Sequence, residues 1–436
     1  MLLVNKAVAF SETKAKRPRR RPSKPAPSLQ VRLQGCFTPA SILKDVAVSL
    51  TPKNDSSGTL SSVTLVRLSK QLVSLENKRN NSYEDDTKSA GGVFTIYKRD
   101  QKLWHKGLTN AVKCLVSSDW EESENSLEAA VEGIKAASVI SRLLPKCEDS
   151  NADGINHTLW WNPLLKKIVQ DDLHLATIIQ PHQLSALKWS IDCFRLSTNY
   201  EDISIESLPV CLQKAYDDLD LPFLIRPGFL TNISSSSRND ESDFTLSSFV
   251  EQVDFKAETI QTTSKRAVVE RRQTAWQGDE HVAPFEYSGK SMERVPWSPV
   301  VASVRDRLCQ ETSHYYDGCL LNLYPDGGSG MRYHIDPDQG VYWGFETVVV
   351  SIGATRRFGF RSLAGNNNAD GPPSKNNISE KGTKSPKPHT FVLMDGDVTE
   401  MVRDCQERFQ HTVKTAEFKG ETAPRVSLVF KKTLAN

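Results

Sequence analysis

Seven short segments between residues 318 and 430 are dominated by Val, Ile, Leu, Phe and Thr, and residues such as Gly, Pro and Asp separate them. They read GCLLNLY, TVVVSIG, RFGFRS, HTFVLM, DVTEMV, FQHTV and RVSLVF. Short β-type runs with turn signals between them predict a sandwich or a barrel. The polar stretch from 363 to 388, which separates two of the runs, predicts a mobile surface loop.

The preceding part of the chain has helical periodicity instead. Apolar residues recur at helical spacing from 126 to 144 and again from 181 to 196, where Pro181 occupies a tolerated first-turn position. We therefore expect residues 93–230 to form a helical region, with Trp160 and Trp161 in its core. Two roles for this region stay open, namely recruitment of a partner protein and packing on the rest of the chain.

The N-terminal residues have a different composition. Residues 1–92 are rich in Ser, Lys, Pro and Asn, which predicts a mostly disordered tail, and residues 231–244 predict a linker. The block KAKRPRRRPSK at 14–24 contains no acid and indicates a nuclear import signal or a phosphate-contacting arm. A solubilising tail and an organellar transit peptide are the alternatives. We expect a nuclear location, with an organelle or the cytoplasm as the other possibilities.

Two broad classes of protein are disfavoured. The chain of 436 residues contains no run of eighteen apolar residues, so we expect no membrane span. Its eight cysteines are scattered without a C-x-x-C pair. This spacing argues against a zinc cluster or a disulfide scaffold and favours reduced thiols in an intracellular compartment.

Candidate metal ligands occur in the β-rich part. In RYHIDPD, His334 and Asp336 are two residues apart, so on a strand both side chains point to one face. A further histidine, His411, lies in the apolar run FQHTV. Two histidines and one carboxylate are typical of non-haem Fe(II) sites, although His411 by itself also fits a buried strand histidine. Arg425, if it points inward, needs an anionic partner such as a dicarboxylate.

The order of these motifs resembles one family. N-x-Y at 322–324, H-x-D, SIGATRRF, GD, His411 and PRVSLVF follow one another as in the AlkB family of Fe(II)/2-oxoglutarate dioxygenases. RRQTAWQGDE and FEYSG extend the likeness upstream, so that it covers about residues 245–436. The resemblance implies an α+β chain with a C-terminal double-stranded β-helix (jelly-roll) catalytic domain. The helical region and the basic tail precede this domain.

The resemblance also assigns roles to individual residues. His334, Asp336 and His411 match the iron ligands, and Arg425 matches the arginine that pairs with the distal carboxylate of 2-oxoglutarate. Asn322 and Tyr324 match the pair that hydrogen-bonds the co-substrate. Ser427 and Lys431 stand where the family usually has Asn and a second Arg, which puts the strength of co-substrate binding in doubt. The implied substrate contacts are Asp338, Trp276 and Arg356. Arg356 alternatively braces the sheet, and Trp276 alternatively belongs to the core. Tyr333 and Tyr342 join Trp276 as candidates for stacking on a base.

The implied activity uses Fe(II), 2-oxoglutarate and O2 to remove methyl groups from alkylated bases of DNA or RNA. We expect a monomer. Two alternatives remain: an oxygenase directed at protein, and a non-catalytic nucleic-acid-binding module that retains the fold.

Overall fold

The structure is a computed structural model that describes residues 38–53, 55, 57–80, 93–144, 160–197, 207–230, 244–261, 266–363 and 386–434. Within these ranges, no helix has the length and apolar character needed to cross a membrane. The basic block at 14–24 and most of the polar stretch at 363–388 lie outside the described residues.

The N-terminal half is helical. Its helices are α1 Pro39–Ser49, α2 Thr59–Asn80, α3 Val93–Arg99, α4 Gln101–Ser117, α5 Glu124–Leu143, α6 Asn162–Gln170, α7 Asp172–Ile178, α8 Pro181–Leu196 and α9 Val210–Asp218. The two helices predicted at 126–144 and 181–196 are confirmed as α5 and α8. Their starts have local causes, because Ser123 caps α5 and Pro181 opens α8. Trp160 and Trp161 are buried in the helical core, as predicted.

The prediction that residues 1–92 are disordered is wrong for α1 and α2. Helix α1 starts with Pro39 and a capping box between Thr38 and Ser41. On α2, Leu65, Leu68 and Leu72 recur at helical spacing and are fully buried. The polar composition of the whole segment concealed this apolar stripe. The remaining parts of the predicted tail, 1–37 and 81–92, are outside the described residues.

The C-terminal half consists of two antiparallel sheets with short helices. Its elements are β1 Phe223–Arg226, α10 Leu246–Gln252, β2 Thr259–Gln261, β3 Ala267–Val269, β4 Gln273–Gly278, β5 Phe285–Tyr287, β6 Lys290–Met292, α11 Pro299–Thr312, β7 Gly318–Tyr324, β8 Met331–His334, β9 Thr347–Gly353, β10 Arg356–Ser362, β11 His389–Leu393, β12 Val398–Met401, α12 Cys405–Arg408, β13 Phe409–Val413 and β14 Arg425–Lys431. One sheet has the order β1-β12-β9-β14-β7-β4, and the second has the order β11-β10-β13-β8. Strands β2-β3 and β5-β6 form separate hairpins.

The seven predicted β-type runs are confirmed as β7 and β9 to β14. Alternation along β14 shows how the larger sheet is used. Val426, Leu428 and Phe430 face a core with α10 and α11, whereas Arg425 and Lys431 belong to the opposite face. That opposite face meets the four-stranded sheet and contains the candidate site.

The predicted boundary at residue 245 is too late. Strand β1, at 223–226, lies inside the predicted helical region but pairs with β12 at the edge of the larger sheet. The sequence did not predict β1 because four residues are too few to show the alternation of a strand. Residues 231–243, the predicted linker, are outside the described residues.

The helical region packs directly on the sheets. Val73, Val139, Trp189 and Cys193 belong to the same buried cluster as the inward-facing residues of the two sheets. Trp189 also makes an edge contact with Phe391 of β11, with ring centroids 6.3 Å apart. The region therefore packs on the rest of the chain, and recruitment of a partner stays a prediction.

Candidate metal and co-substrate site

His334, Asp336 and His411 come together at one end of the four-stranded sheet. Strands β8 and β13 are antiparallel neighbours, and His334 is directly opposite His411. Asp336 follows β8, and its Oδ1 is 3.6 Å from His334 Nε2 and 3.5 Å from His411 Nε2. One potential ligand atom from each residue lies within 4.8 Å of the other two. The three side chains thus converge as the ligands of one metal ion do.

Both imidazoles have an environment that suits a metal ligand. His334 Nδ1 is 2.9 Å from the carbonyl oxygen of Arg332, so that nitrogen donates and Nε2 is left with its lone pair. Burial, together with the neighbouring His334, lowers the pKa of His411 to about 3. His411 is therefore neutral at physiological pH, which is the form that binds a metal.

The carboxylate of Asp336 is held by a lysine from the other sheet. Lys431 Nζ donates to Asp336 Oδ2 at 2.8 Å and to Gln339 Oε1 at 3.3 Å. Burial alone would raise the pKa of Asp336. The charge of Lys431, together with His334 and His411, outweighs burial and holds this pKa well below its usual range. The carboxylate is consequently ionised, with Oδ2 engaged and Oδ1 directed at the two imidazoles.

Arg425 is the first residue of β14 and has no exposed surface. Its guanidinium donates to Ser351 Oγ at 2.5 Å and to the carbonyl oxygen of Ala354 at 3.3 Å, which are both uncharged acceptors. Burial lowers the pKa of Arg425 to about 10. In the part of the chain that the structure describes, no acceptor reaches Nε and no carboxylate forms a salt bridge with this guanidinium.

This environment fits a carboxylate co-substrate. A buried guanidinium without an anion is costly, and a carboxylate accepts its parallel N–H donors in a fork. Asn322 and Tyr324, on the neighbouring strand β7, are opposite Ser427 and Arg425 in the register. The polar side chains that the sequence assigned to the co-substrate therefore cluster on one face of two adjacent strands, β7 and β14.

One residue at this site was missed by the sequence analysis. Arg272, just before β4, donates from Nη1 to Asn322 Oδ1 at 3.0 Å. Its Nε pairs with Glu270 at 2.9 Å. Because Asn322 Oδ1 is engaged, the amide of Asn322 presents Nδ2 as its remaining donor group. Arg272 belongs to the RRQTAW segment that carries part of the resemblance, but the segment by itself did not indicate a role for it.

Three more polar residues extend this network through the small hairpins. Tyr287 donates to Glu270 Oε2 at 2.8 Å, and burial raises the pKa of this phenol. Lys290, which is nearly inaccessible, donates to Thr274 Oγ1 at 2.6 Å. Burial lowers the pKa of Lys290, and the carboxylate of Glu270 opposes that shift. A group of buried polar side chains therefore lies next to Asn322, and the periodicity of the sequence does not predict it.

Trp276 and Arg356 are placed differently from the substrate contacts that the sequence suggested. Trp276 is 2 % exposed, donates to the carbonyl oxygen of Ala283 and packs against Phe285 and Trp343. Such burial disagrees with direct stacking on a base. Arg356 is also buried, and it donates to the carbonyl oxygens of Thr355 and Ala423. The bracing role, given above as an alternative for Arg356, agrees with these contacts.

The other three substrate candidates are more accessible. Asp338 is exposed, has a left-handed backbone with φ of 57°, and lies two residues after Asp336. Tyr342 is partly buried, and its hydroxyl accepts the backbone N–H of Ala283 at 3.1 Å. Tyr333 lies between cations, with Arg361 and Lys414 at 4.2 and 4.5 Å from its ring centroid.

Comparison with known proteins agrees with this arrangement. The family model described as the 2OG-Fe(II) oxygenase superfamily matches residues 223–431. An uncharacterized protein of Acanthamoeba polyphaga mimivirus is 32% identical over 171 residues, which are 39% of this chain and 77% of that protein. DNA oxidative demethylase ALKBH2 of Mus musculus is 28% identical over 40% of this chain and 66% of its own length. Alpha-ketoglutarate-dependent dioxygenase alkB homolog 3 of Homo sapiens is 29% identical over 44% of this chain and 61% of its own.

The chain therefore belongs to the 2OG-Fe(II) oxygenase superfamily through its C-terminal half. Within that superfamily it is AlkB-like, as the two named demethylase and dioxygenase relatives indicate. Fe(II), 2-oxoglutarate and O2 are the cofactor and co-substrates of this class. The His-Asp-His cluster and the uncompensated Arg425 fit the metal and the dicarboxylate respectively.

Proposed function

We propose that the protein is a Fe(II)/2-oxoglutarate-dependent dioxygenase that oxidatively demethylates alkylated nucleobases in DNA or RNA. Its catalytic domain adopts a double-stranded β-helix, or jelly roll. The observation that carries the proposal is the convergence of His334, Asp336 and His411. Lys431, on the same strand as Arg425, donates a hydrogen bond to the carboxylate of Asp336 and so connects the metal ligands to the co-substrate residues.

The roles of the residues follow from their contacts. His334, Asp336 and His411 hold the metal through the two Nε2 atoms and Asp336 Oδ1. Lys431 donates to Oδ2, which leaves Oδ1 as the carboxylate oxygen that would bind the metal. When bound, iron would supply the chemistry by which O2, the oxidant, hydroxylates a substrate methyl group while 2-oxoglutarate is oxidised to succinate and CO2.

The co-substrate is held by the opposite sheet. Arg425 binds its distal carboxylate, and the buried environment strengthens that pair because water does not screen it. Asn322 offers an amide donor whose orientation Arg272 determines. Tyr324 and Ser427 complete the polar face, and burial keeps Tyr324 protonated by raising its pKa.

A nucleobase substrate is supported by the surface beside the metal ligands. Tyr333 directly precedes His334 on β8, so its side chain points to the opposite face of the four-stranded sheet, where Arg361 and Lys414 pack against its ring. An aromatic ring with adjacent cations suits a nucleic-acid strand, in which bases stack and phosphates need positive charge. Asp338 is an exposed carboxylate close to the metal ligands, where it can accept hydrogen bonds from the amino group of a base. A hydroxymethyl group formed on a base nitrogen leaves as formaldehyde.

Formaldehyde release tests this proposal. We expect the protein, supplied with Fe(II), 2-oxoglutarate and O2, to release formaldehyde from an oligonucleotide that carries 1-methyladenine, 3-methylcytosine or N6-methyladenine. Lesions on the base-pairing face should be preferred. Asp338→Ala should reduce formaldehyde release more than it reduces succinate formation without oligonucleotide. Asp254→Ala, which removes an exposed acid elsewhere on the domain, is the matched control.

The result that contradicts the nucleobase assignment is specific. If no methylated oligonucleotide releases formaldehyde while the protein still converts 2-oxoglutarate to succinate, then the oxygenase assignment stands and the substrate belongs to another class. A protein substrate would be the next one to test.

A further inference from the structure

Two residues of the N-terminal helices contact the chain segments that hold Arg425. We propose that Asn77 on α2 and Arg142 on α5 are positioning residues for the 2-oxoglutarate pocket, acting through the backbone around Arg425. This inference rests on the proposed function, because it concerns the co-substrate of the same site. Both residues lie outside the part of the chain that the family model matches, residues 223–431.

Asn77 is inserted into the turn between β9 and β10. It is 1 % exposed, and its Oδ1 accepts the backbone N–H of Thr355 at 2.8 Å. Its Nδ2 donates to Glu421 Oε2 at 3.2 Å and approaches the carbonyl oxygen of Thr355 at 3.4 Å. The residue before Thr355 is Ala354, whose carbonyl oxygen accepts from Arg425. Asn77 therefore determines where one of the two acceptors of Arg425 lies.

Arg142 reaches the second acceptor by a different path. Its guanidinium forms a two-point ion pair with Asp397, with contacts of 2.9 and 2.6 Å, and Asp397 has no exposed surface. Burial acts against the charge of Arg142, but Asp397 outweighs burial and raises the pKa of Arg142 above its usual value. The carbonyl oxygen of Asp397 accepts the backbone N–H of Ser351 at 2.9 Å. Ser351 Oγ in turn accepts from Arg425.

The two paths meet at one guanidinium. Arg425 is held by Ser351 Oγ and by the carbonyl oxygen of Ala354, so a displacement of either segment redirects its donors. Binding of a carboxylate by a guanidinium depends on planar, two-point geometry. The iron ligands, by contrast, lie on or beside the four-stranded sheet. The contacts of Asn77 and Arg142 described above are made to other segments of the chain. Loss of either residue should therefore weaken 2-oxoglutarate binding and leave metal binding unchanged.

The experiment compares Asn77→Ala and Arg142→Lys with a matched control, Lys135→Met. Lys135 also joins the helical region to the sheets, but it donates to Thr390 Oγ1 on β11, away from the segments that hold Arg425. Calorimetric titration of 2-oxoglutarate into the full-length, Mn(II)-loaded protein gives the dissociation constant without turnover. Titration of Mn(II) into the metal-free protein gives the metal affinity. Succinate formation then separates KM from kcat.

We expect the dissociation constant for 2-oxoglutarate to rise roughly 5- to 30-fold in Asn77→Ala and in Arg142→Lys, the factor that corresponds to one or two kcal/mol. KM should rise with it, kcat at saturating 2-oxoglutarate should stay within about twofold, and Lys135→Met should match the wild type. Asn77→Ala leaves the buried ion pair intact, so it carries the test if Arg142→Lys does not fold.

Results that overturn only the positioning role are distinguishable from the result that also overturns the proposed function. If the wild type binds 2-oxoglutarate and folded Asn77→Ala binds it equally well, the positioning role is overturned and the proposed function stands. An equal loss of affinity in Lys135→Met also overturns the role, because it indicates general loosening of the interface. If the wild type binds no 2-oxoglutarate in the presence of Mn(II), the proposed function fails and this inference fails with it.

Discussion

Replacement of Arg425 by Met should separate co-substrate binding from folding. Burial lowers the pKa of Arg425 from its usual value to about 10, which corresponds to about 3 kcal/mol against the charged form. Because the folded-state pKa lies below the unfolded one, this penalty is fully present at neutral pH and decreases as the pH rises from about 10 towards the unfolded value. The substitution removes the penalty.

The substitution also removes two hydrogen bonds. Ser351 Oγ and the carbonyl oxygen of Ala354 each lose a donor, at a cost of about 1–3 kcal/mol apiece. The two effects largely cancel, so we expect the free energy of unfolding without 2-oxoglutarate to change by no more than about 3 kcal/mol. Loss of a buried charge partner costs about 3–5 kcal/mol, so the affinity for 2-oxoglutarate should fall by roughly two to four orders of magnitude.

Two measurements on the same protein check this prediction. Urea denaturation without 2-oxoglutarate gives the stability, and calorimetric titration of the Mn(II)-loaded protein gives the affinity. Arg307→Met, which removes a partly exposed arginine from α11, is the matched control and should alter neither strongly. Unchanged binding of 2-oxoglutarate by Arg425→Met would remove Arg425 from the site. A loss of stability far above 3 kcal/mol would refute the conclusion that the guanidinium lacks a compensating partner.

Three further predictions concern acidity, the metal ligand and location. Burial lowers the pKa of His389 to about 4, below its unfolded value, so stability at the helix–sheet interface should be lost as the pH falls from about 6.5 towards 4; urea denaturation of His389→Gln should show a weaker pH dependence than the wild type. Because Lys431 lowers the pKa of Asp336, Lys431→Met should shift the acid limit of Mn(II) binding upward by about one to three pH units, whereas Lys431→Arg should leave it near the wild-type value. Deletion of residues 14–24 should move a fluorescent fusion out of the nucleus, and an unchanged distribution would reject the import signal.

The strands were predictable because they carry their own signal. In β7, β9 and β14, β-branched and other apolar residues fill most of the seven positions of each strand. His334 and Asp336 were recognisable because a spacing of two places both side chains on one face. Helix α8 was marked by Pro181 and by its apolar period.

The unpredicted features depend on contacts between distant parts of the chain. Asn77 meets Thr355 across 278 positions, and Arg142 meets Asp397 across 255. A polar residue on a helix has the same local sequence whether it faces solvent or a buried backbone group. The sequence could not decide between the two positions of Trp276 for the same reason, since an aromatic residue near a site motif fits a pocket surface and a core equally well.

The central claim is that the His-Asp-His cluster is the iron centre of a 2-oxoglutarate oxygenase. The most direct measurement is succinate formation from 2-oxoglutarate by the purified protein, with Fe(II) and O2 supplied or withheld. We predict turnover that requires both, and its loss in His334→Ala, Asp336→Ala and His411→Ala. His314→Ala, at an exposed histidine beyond α11, should retain it. Turnover that persists in folded His334→Ala or His411→Ala, or that proceeds without Fe(II), would contradict the claim.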